Sequence, residues 1–184
     1  MDDRKIVQTS KFLSYVLRHH PESLGISLND QGWANVDGLI EAARRKGRRI
    51  DRPLVERVVA ENNKKRFSLS DDGKMIRAVQ GHSTTTVRLD HTPLPPPELL
   101  YHGTATRFLD SIMSQGLIPN GRHHVHLTND LSTALQVGRR HGRPVVLKID
   151  GETMSKDGFE FYLSENGVWL TNNVPPMYLS VLEK

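Results

Sequence analysis

The first 80 residues place apolar side chains at helical spacing, with polar positions between them. The pattern predicts three helices: one from a Ser10 cap to Pro21, a second after Asn35 ending near Gly47, and a third capped by Asp51. Pro53 falls in the first turn of the third helix, where a proline is tolerated because that turn leaves its N–H groups unpaired. We therefore expect a small helical core in this part of the chain.

The same region ends in two short strand-like runs. Residues 67–69 and 75–78 flank the turn-forming segment 71–74, which predicts a β-hairpin. Three helices followed by a two-stranded wing is the order of elements in a winged-helix domain. We assign this lobe to residues 1–85.

A proline-rich stretch follows, and the pattern then changes. Residues 86–97 contain three consecutive prolines, which favour extended backbone and exclude a helix, so we predict a linker there. Beyond it, strands are predicted at 99–102, 124–127, 145–149, 159–163, 168–170 and 177–182, with helices at 106–115 and after Thr128 or Asn129. Residues 98–184 should thus form a compact mixed β-sheet with few helices, which makes the chain α+β.

Composition limits the chemistry. Lys and Arg exceed Asp and Glu by 25 to 21, with a net charge of +4 and a pI near 9.5, which suits a phosphate-bearing partner or simply a soluble basic surface. There are no cysteines, which excludes disulfides, thiol catalysis and cysteine-bound zinc. We find no apolar run of membrane length and no signal peptide, and expect a cytoplasmic protein without membrane contact.

Basic side chains occur in three separate motifs: 17–21, 64–68 and 138–142. Arginine keeps its charge at ordinary pH and carries its donors in a planar fork, so converging arginines with a histidine form a cradle for a phosphoryl group. Taken singly, each motif also fits a basic helix end or a solvated charge run. The sequence alone leaves these two interpretations open.

A second polar constellation is expected at strand ends. His102, Gly103 and Thr104 combine a close backbone approach with two polar side chains, and His126 alternates outward from its strand while Leu127 packs inward. His123, His124 and His126 suggest a metal site, but no HExxH motif or carboxylate partner accompanies them, and we expect no metal. Walker and GxGxxG motifs are absent from the sequence.

Several collinear segments from about Ser10 to the C-terminus resemble the RNA 2′-phosphotransferase family: LSYVLRHHPESLGI, KKRFSLS, IRAVQGHS, YHGTATRFLDSI, GRHHVHLT, VGRRHG and FYLSENGVWLT. The resemblance implies a winged-helix lobe joined to an ADP-ribosyltransferase-like, NAD-binding lobe. It also implies transfer of an internal RNA 2′-phosphate to NAD⁺ through a 2′-phospho-ADP-ribosylated RNA intermediate. The products would be 2′-OH RNA, nicotinamide and ADP-ribose 1″,2″-cyclic phosphate.

The resemblance also implies site residues. The family's catalytic set falls on Arg18, His19, Arg66 and Arg140. Arg139 is the alternative to Arg140. We prefer Arg140 because it directly adjoins His141 and Gly142 of the family motif. The NAD⁺ pocket falls on His102, Gly103, Thr104, His126, Leu127, Thr128 and Val168.

At the position that corresponds to Val168, many ADP-ribosyltransferases have a glutamate that binds the ribose hydroxyls. An apolar residue there would leave the 2″-hydroxyl free to act as the second nucleophile, and Glu165 lies nearby on a predicted turn.

The implied partners are NAD⁺ as a co-substrate and an RNA with an internal 2′-phosphate, such as a tRNA. We expect a monomer, although no sequence feature determines the oligomeric state. Two alternatives stay open. One is an ADP-ribosyltransferase that modifies terminal phosphates or protein and stops after the first step, and the other is a winged-helix regulator without chemistry.

Overall fold

The computed structural model describes residues 3–62 and 64–182, and its contacts divide the chain into two compact units, with the boundary in the sequence between Asp90 and His91. Both units combine helices with small antiparallel sheets, so the chain is a mixed α+β protein. None of the helices in these two ranges has both the length and the apolar character that a membrane crossing requires.

The first unit contains three helices and one small sheet. Its elements are α1 (Asp3–Arg18), a 3₁₀ turn (Pro21–Leu24), β1 (Ala34–Asn35), α2 (Val36–Arg45), α3 (Arg52–Ala60), β2 (Phe67–Leu69) and β3 (Met75–Ala78). The predicted hairpin of β2 and β3 is confirmed, and the sheet order is β1-β3-β2 with antiparallel pairs. The two-residue strand β1 was not predicted, because two residues are too few to show an alternating pattern.

Side-chain caps explain why two of the predicted helices begin where they do. The Asn35 side chain accepts a hydrogen bond from the Gly38 N–H at 2.8 Å, and the Asp51 side chain accepts one from the Leu54 N–H at 3.0 Å. Each satisfies a backbone donor that the first helical turn leaves unpaired. The predicted Asp51 cap is confirmed, and Asn35, predicted only as the residue before the second helix, is its cap.

The predicted start of the first helix was wrong. Helix α1 begins at Asp3, and Ser10 lies buried in its interior. The Ser10 hydroxyl accepts a hydrogen bond from the Asn62 side chain at 3.0 Å, so it serves tertiary packing and does not cap the helix. An N-cap residue type is not evidence of a helix start where a more distant donor can satisfy its oxygen.

The second unit alternates strands and short helices. Its elements are β4 (Leu99–Ala105), α4 (Leu109–Gln115), β5 (Val125–Leu127), α5 (Leu131–Arg139), β6 (Pro144–Asp150), α6 (Gly151–Lys156), β7 (Phe161–Leu163), β8 (Trp169–Thr171) and β9 (Leu179–Val181), with 3₁₀ turns at Thr106–Phe108 and Pro176–Tyr178. Helix α6 was not predicted. Its Asp150 cap belongs to the end of an apolar strand, which hid the helix start.

The strands of this unit form two three-stranded sheets, β4-β6-β9 and β5-β8-β7, and every ladder among the described residues is antiparallel. The predicted mixed sheet was therefore wrong. The apolar run at 145–149 shows that β6 is buried, but burial does not determine strand direction. An isolated bridge between Tyr101 and Thr128 pairs the backbones of the two sheets at one point, with N···O distances of 2.7 and 3.0 Å.

Helix α5 begins one or two residues later than predicted. Asp130 is the cap in place of Thr128 or Asn129, because its carboxylate accepts hydrogen bonds from the N–H groups of Ser132 and Thr133. Hydrogen bonds from the Thr133 and Ser132 side chains and backbone lower the Asp130 pKa to about 2. A carboxylate with a lowered pKa stabilises the fold above its unfolded-state pKa near 3.8, and that contribution is lost as the pH falls towards 2.

The predicted linker segment, residues 86–97, contains no helix and makes specific backbone hydrogen bonds. In the first unit, Val87 is buried and the Arg88 N–H donates to the Asp30 carbonyl at 2.7 Å. In the second unit, the Leu94 N–H donates to the Phe161 carbonyl at 2.8 Å. Both ends of the segment are thus held by hydrogen bonds, each within its own unit.

Candidate functional site

The end of α1 carries the first two predicted catalytic residues. Arg18 is the last residue of the helix and His19 follows it, and both are half-buried. The Arg18 carbonyl accepts a hydrogen bond from the Ser83 N–H at 2.9 Å, and the Ser83 hydroxyl lies 2.9 Å from Nδ1 of His19. Ser83 thus fixes both the backbone and the imidazole at this helix end.

Arg66 is brought to the same region by the β-hairpin. It directly precedes β2, and its carbonyl accepts a hydrogen bond from the Val79 N–H at 3.0 Å. The segment that begins at Val79 reaches Ser83 four residues later. One short stretch, 79–83, is therefore bonded to Arg66 at one end and to Arg18 and His19 at the other.

Two buried polar residues lie within this stretch. Gln80 is 8% exposed and His82 is 2% exposed. Oε1 of Gln80 has no hydrogen-bond partner within residues 3–62 and 64–182. No role was predicted for Ser83 or Gln80, although both belong to the IRAVQGHS segment that carries part of the family resemblance.

Gly103 on β4 is required by the packing of α5. A Cβ atom built there would lie 1.7 Å from the Ala134 carbonyl oxygen and 2.9 Å from the Gly138 backbone nitrogen. Strand side chains alternate, so Gly103 faces the helix while His102 and Thr104 share the opposite face. The glycine lets α5 lie directly on the strand, and its two predicted partners point away from that helix.

His102 has a defined tautomer. Its Nδ1 lies 3.0 Å from the His126 carbonyl oxygen, which can only accept, so Nδ1 carries the proton. Burial lowers the pKa of the imidazole, and the charges of His141 and Arg122 act in the same direction. The ring is then neutral near pH 7, and its Nε2 presents a lone pair as a hydrogen-bond acceptor.

His126 and its neighbours on β5 follow the predicted alternation. His126 is half-buried, whereas Leu127 is 2% exposed and belongs to the hydrophobic core. Nη1 of Arg122 lies 3.0 Å from Nδ1 of His126 and donates to it, a contact that sequence analysis missed. Thr128 is held at this edge by its backbone pair with Tyr101.

Arg139 and Arg140 lie at the end of α5, and both are exposed. Arg139 is the last helical residue, and the Arg140 N–H donates to the Val137 carbonyl at 3.1 Å. The charge of His141, the next residue, adds to the lowering of the His102 pKa by burial. The choice between Arg139 and Arg140 stays a prediction.

Val168 directly precedes β8 and is half-exposed. Its N–H donates to the Ser164 hydroxyl and its carbonyl accepts from the Ser164 N–H, both at 3.0 Å. Glu165 lies on the turn that these bonds close, as its position in the sequence predicted.

The predicted catalytic residues are distributed between the two units. Arg18, His19 and Arg66 belong to the first unit and Arg140 to the second. All seven residues of the predicted NAD⁺ pocket lie in the second unit. In the part of the chain that the structure describes, no group of three or more His, Asp or Glu side chains is arranged to hold a metal ion.

The sequence matches a protein family over most of its length. A sequence model described as RNA 2′-phosphotransferase, Tpt1 / KptA family, matches residues 4–173. A protein named probable RNA 2′-phosphotransferase from Pseudomonas aeruginosa is 55% identical over 179 residues, which cover 97% of this chain and 98% of the relative.

Proteins of the same name from other bacteria give similar values. The one from Pseudomonas fluorescens is 52% identical over 99% of this chain and 100% of its own length. The one from Escherichia coli is 52% identical over 97% of both chains. These matches identify the chain as a phosphotransferase. The chain belongs to the RNA 2′-phosphotransferase (Tpt1 / KptA) family.

Proposed function

We propose that this chain is an NAD⁺-dependent RNA 2′-phosphotransferase. The observation that carries the proposal is the gathering of Arg18, His19 and Arg66 along residues 79–83, in a chain that belongs to this family. Permanent positive charge at a preformed site stabilises a phosphoryl group that is nucleophile in one step and electrophile in the next. A titrating base could not supply that charge in both steps.

The reaction proceeds in two steps. In the first, an oxygen of the RNA 2′-phosphate bonds to the nicotinamide-bearing ribose carbon, and the C–N bond breaks with its electron pair leaving on nicotinamide. In the second, the ribose 2″-hydroxyl bonds to phosphorus and the bond to the RNA 2′-oxygen breaks. A proton moves from the 2″-hydroxyl to the RNA 2′-oxygen, which leaves an ordinary RNA 2′-OH.

His19 is the residue of the basic cluster suited to move that proton. An imidazole both accepts and donates protons near neutral pH, which a guanidinium does not. The Ser83 hydroxyl at 2.9 Å from Nδ1 orients the ring, and Nε2 is then the nitrogen that would transfer the proton. Arg18, Arg66 and Arg140 supply the fixed charge.

The second unit supplies the proposed NAD⁺ pocket. The neutral His102 ring offers Nε2 as an acceptor for a ribose hydroxyl, and Thr104 lies on the same face of β4. The pocket is completed by Gly103, His126, Leu127, Thr128 and Val168. On this proposal the first unit is a winged helix that binds RNA and the second is an ADP-ribosyltransferase-like lobe.

The activity is tested by incubating the protein with NAD⁺ and a short RNA that carries an internal 2′-phosphate. We expect release of nicotinamide and ADP-ribose 1″,2″-cyclic phosphate, and we expect the reaction to continue in EDTA because the cluster supplies charge without a metal. Removal of phosphate without NAD⁺, or loss of all activity on chelation, would contradict the proposal. Accumulation of ADP-ribosylated RNA without the cyclic product would instead identify an enzyme that stops after the first step.

Ser83→Ala should lower kcat by about 2- to 10-fold, the equivalent of one net hydrogen bond, with little change in KM for NAD⁺. Ser83 positions His19 and does not itself touch the reacting atoms in this proposal. Ser83→Thr keeps the hydroxyl and should restore most of the rate. If Ser83 were purely structural, Ser83→Ala would have a lower thermal midpoint of unfolding, but its folded fraction would keep the wild-type rate.

A further inference from the structure

A basic cleft lies in the first unit, outside the residues assigned to catalysis. It has a volume of about 480 Å³, and its charged lining consists of Lys5, Arg44, Arg48, Arg49 and Asp51. We refer to it as the α2–α3 cleft, because four of these five residues lie at the end of α2 or in the turn between α2 and α3. Cavities of this size hold small ligands or a few groups of a larger one.

The cations of this cleft differ from others of the same unit. Arg45, Arg52, Arg57 and Lys74 each lie within 4.0 Å of a carboxylate, at distances of 3.6, 2.8, 2.7 and 3.8 Å. Within residues 3–62 and 64–182, none of the four cleft cations has such a carboxylate. The one acid in the lining, Asp51, caps α3 through the Leu54 N–H. The cleft therefore concentrates positive charge that the fold itself does not neutralise.

The backbone that carries these cations is fixed. The Gly47 N–H donates to the Arg44 carbonyl and the Arg48 N–H to the Ala43 carbonyl, with Gly47 at φ +75°, which closes the end of α2 in a Schellman motif. Nε of Arg44 donates to the Ile50 carbonyl at 3.1 Å. A fixed turn holds its cations at constant spacing, which lowers the entropic cost of binding an anion.

Arg48 is further held by an aromatic ring. Its guanidinium carbon lies 4.7 Å from the centre of the Phe12 ring on α1. A guanidinium stacked on a ring keeps its N–H donors directed outward in the plane of the group, where they can bind phosphate oxygens.

We propose that the α2–α3 cleft binds a backbone phosphate of the RNA strand at a distance from the 2′-phosphate under attack. The proposal rests on the proposed function, which makes RNA the substrate. Backbone phosphates are the RNA groups that unpaired arginines and lysines recognise irrespective of base sequence. The cleft would thus add affinity and orientation without reading the sequence.

Helix α1 sets the distance between this cleft and the catalytic residues of the same unit. Lys5 precedes Arg18 by 13 residues and Phe12, beneath Arg48, precedes it by six. At 1.5 Å per residue these separations are about 20 Å and 9 Å along the helix. With a rise of about 3.4 Å per nucleotide in a stacked strand, the bound phosphate lies roughly three to six nucleotides from the 2′-phosphate.

Substrates of two lengths test this assignment. One is a trinucleotide with a central 2′-phosphate, too short to reach the cleft, and the other is a 13-mer with the 2′-phosphate on its central nucleotide and six nucleotides on either side. The variants are Arg49→Gln and the double variant Arg44→Gln/Arg49→Gln. Arg49 is exposed and has no side-chain partner in the described chain, so its replacement removes charge without disturbing a contact.

For the double variant we expect KM for the 13-mer to rise about 10-fold at 0.1 M salt, with the salt slope of log affinity reduced by about 0.7 for each lost contact. KM for the trinucleotide should stay within about twofold of wild type, since it makes no contact there. Arg45→Gln is the control: like Arg49→Gln it removes a single positive charge, but from an arginine at the end of α2 that is already paired with Glu41. It should leave both substrates unchanged.

The proposal is overturned if the double variant affects the two substrates equally, if it affects neither, or if Arg45→Gln weakens the 13-mer as much. A thermal midpoint of unfolding equal to that of the wild type establishes that a variant is folded. If the double variant is not folded, Arg49→Gln alone tests whether the cleft binds the 13-mer.

Failure of the proposed function is a separate result, namely no turnover of either RNA with NAD⁺. In that case fluorescence anisotropy with an unphosphorylated 13-mer still tests the cleft, because loss of binding in the variants supports it and unchanged binding refutes it.

Discussion

Replacing Arg18, Arg66 or Arg140 by alanine is expected to lower kcat for NAD⁺-dependent removal of the RNA 2′-phosphate by about 10²- to 10³-fold each. Each arginine supplies charge that is already in place when the phosphoryl group reacts, so its loss falls mainly on the transition state. Product formation from NAD⁺ and a 2′-phosphorylated trinucleotide, measured in single-turnover and steady-state experiments, separates this loss from weaker binding.

Arg140 is the most informative of the three, because its neighbour serves as a matched control. Arg139 and Arg140 are adjacent, exposed and identical in charge, and an exposed basic residue at a helix end contributes only about 0.3–1 kcal/mol to stability. Both alanine variants should therefore fold like the wild type, with only Arg140→Ala losing activity. Loss of activity in Arg139→Ala alone would move the assignment by one residue, and full activity in both would remove this helix end from the catalytic set.

Local chemistry made parts of the fold predictable. Helices α2 and α3 start at side chains that bond their own first turn, and β2 and β3 are joined by only five residues, so the determining contacts lie within a few positions of each other. The same reasoning gave the wrong helix start at Ser10, because the Ser10 hydroxyl accepts a hydrogen bond from Asn62, 52 residues away. A single sequence does not indicate which residues far apart along the chain will form a hydrogen bond.

The candidate site shows the same division. The motif resemblance predicted which arginines and histidines to consider, but not how they are held. Ser83 fixes His19 across 64 residues, and Arg122 bonds His126 only because the chain turns back between them. The resemblance also placed Gly103 in the NAD⁺ pocket, where its physical reason was expected to be close approach to a ligand. The nearest atoms to its missing side chain belong instead to the backbone of α5.

Gly103→Ala should destabilise the second unit by at least about 3 kcal/mol, the upper part of the range for overpacked cores. The added methyl would lie 1.7 Å from the Ala134 carbonyl oxygen and 2.6 Å from its carbon. These are backbone atoms of a helix, so the clash is not relieved by a side-chain rotation, and α5 must move away from β4. Because Arg140 directly follows α5 and β4 carries His102, we expect NAD⁺-dependent turnover to be lost together with stability.

Guanidinium denaturation with tryptophan fluorescence measures this effect. The chain has two tryptophans, Trp33 in the first unit and Trp169 in the second, so a Trp33→Phe background reports on the second unit alone and a Trp169→Phe background on the first. Gly38→Ala in helix α2 is the matched control. Its new methyl would meet only the Asn35 side chain, at an ordinary 3.5 Å, and replacing a helical glycine by alanine should stabilise the first unit by about 0.5–1 kcal/mol. The same chemical change thus has opposite signs at the two positions, and an unaltered unfolding midpoint for Gly103→Ala would show that α5 does not pack its backbone against β4.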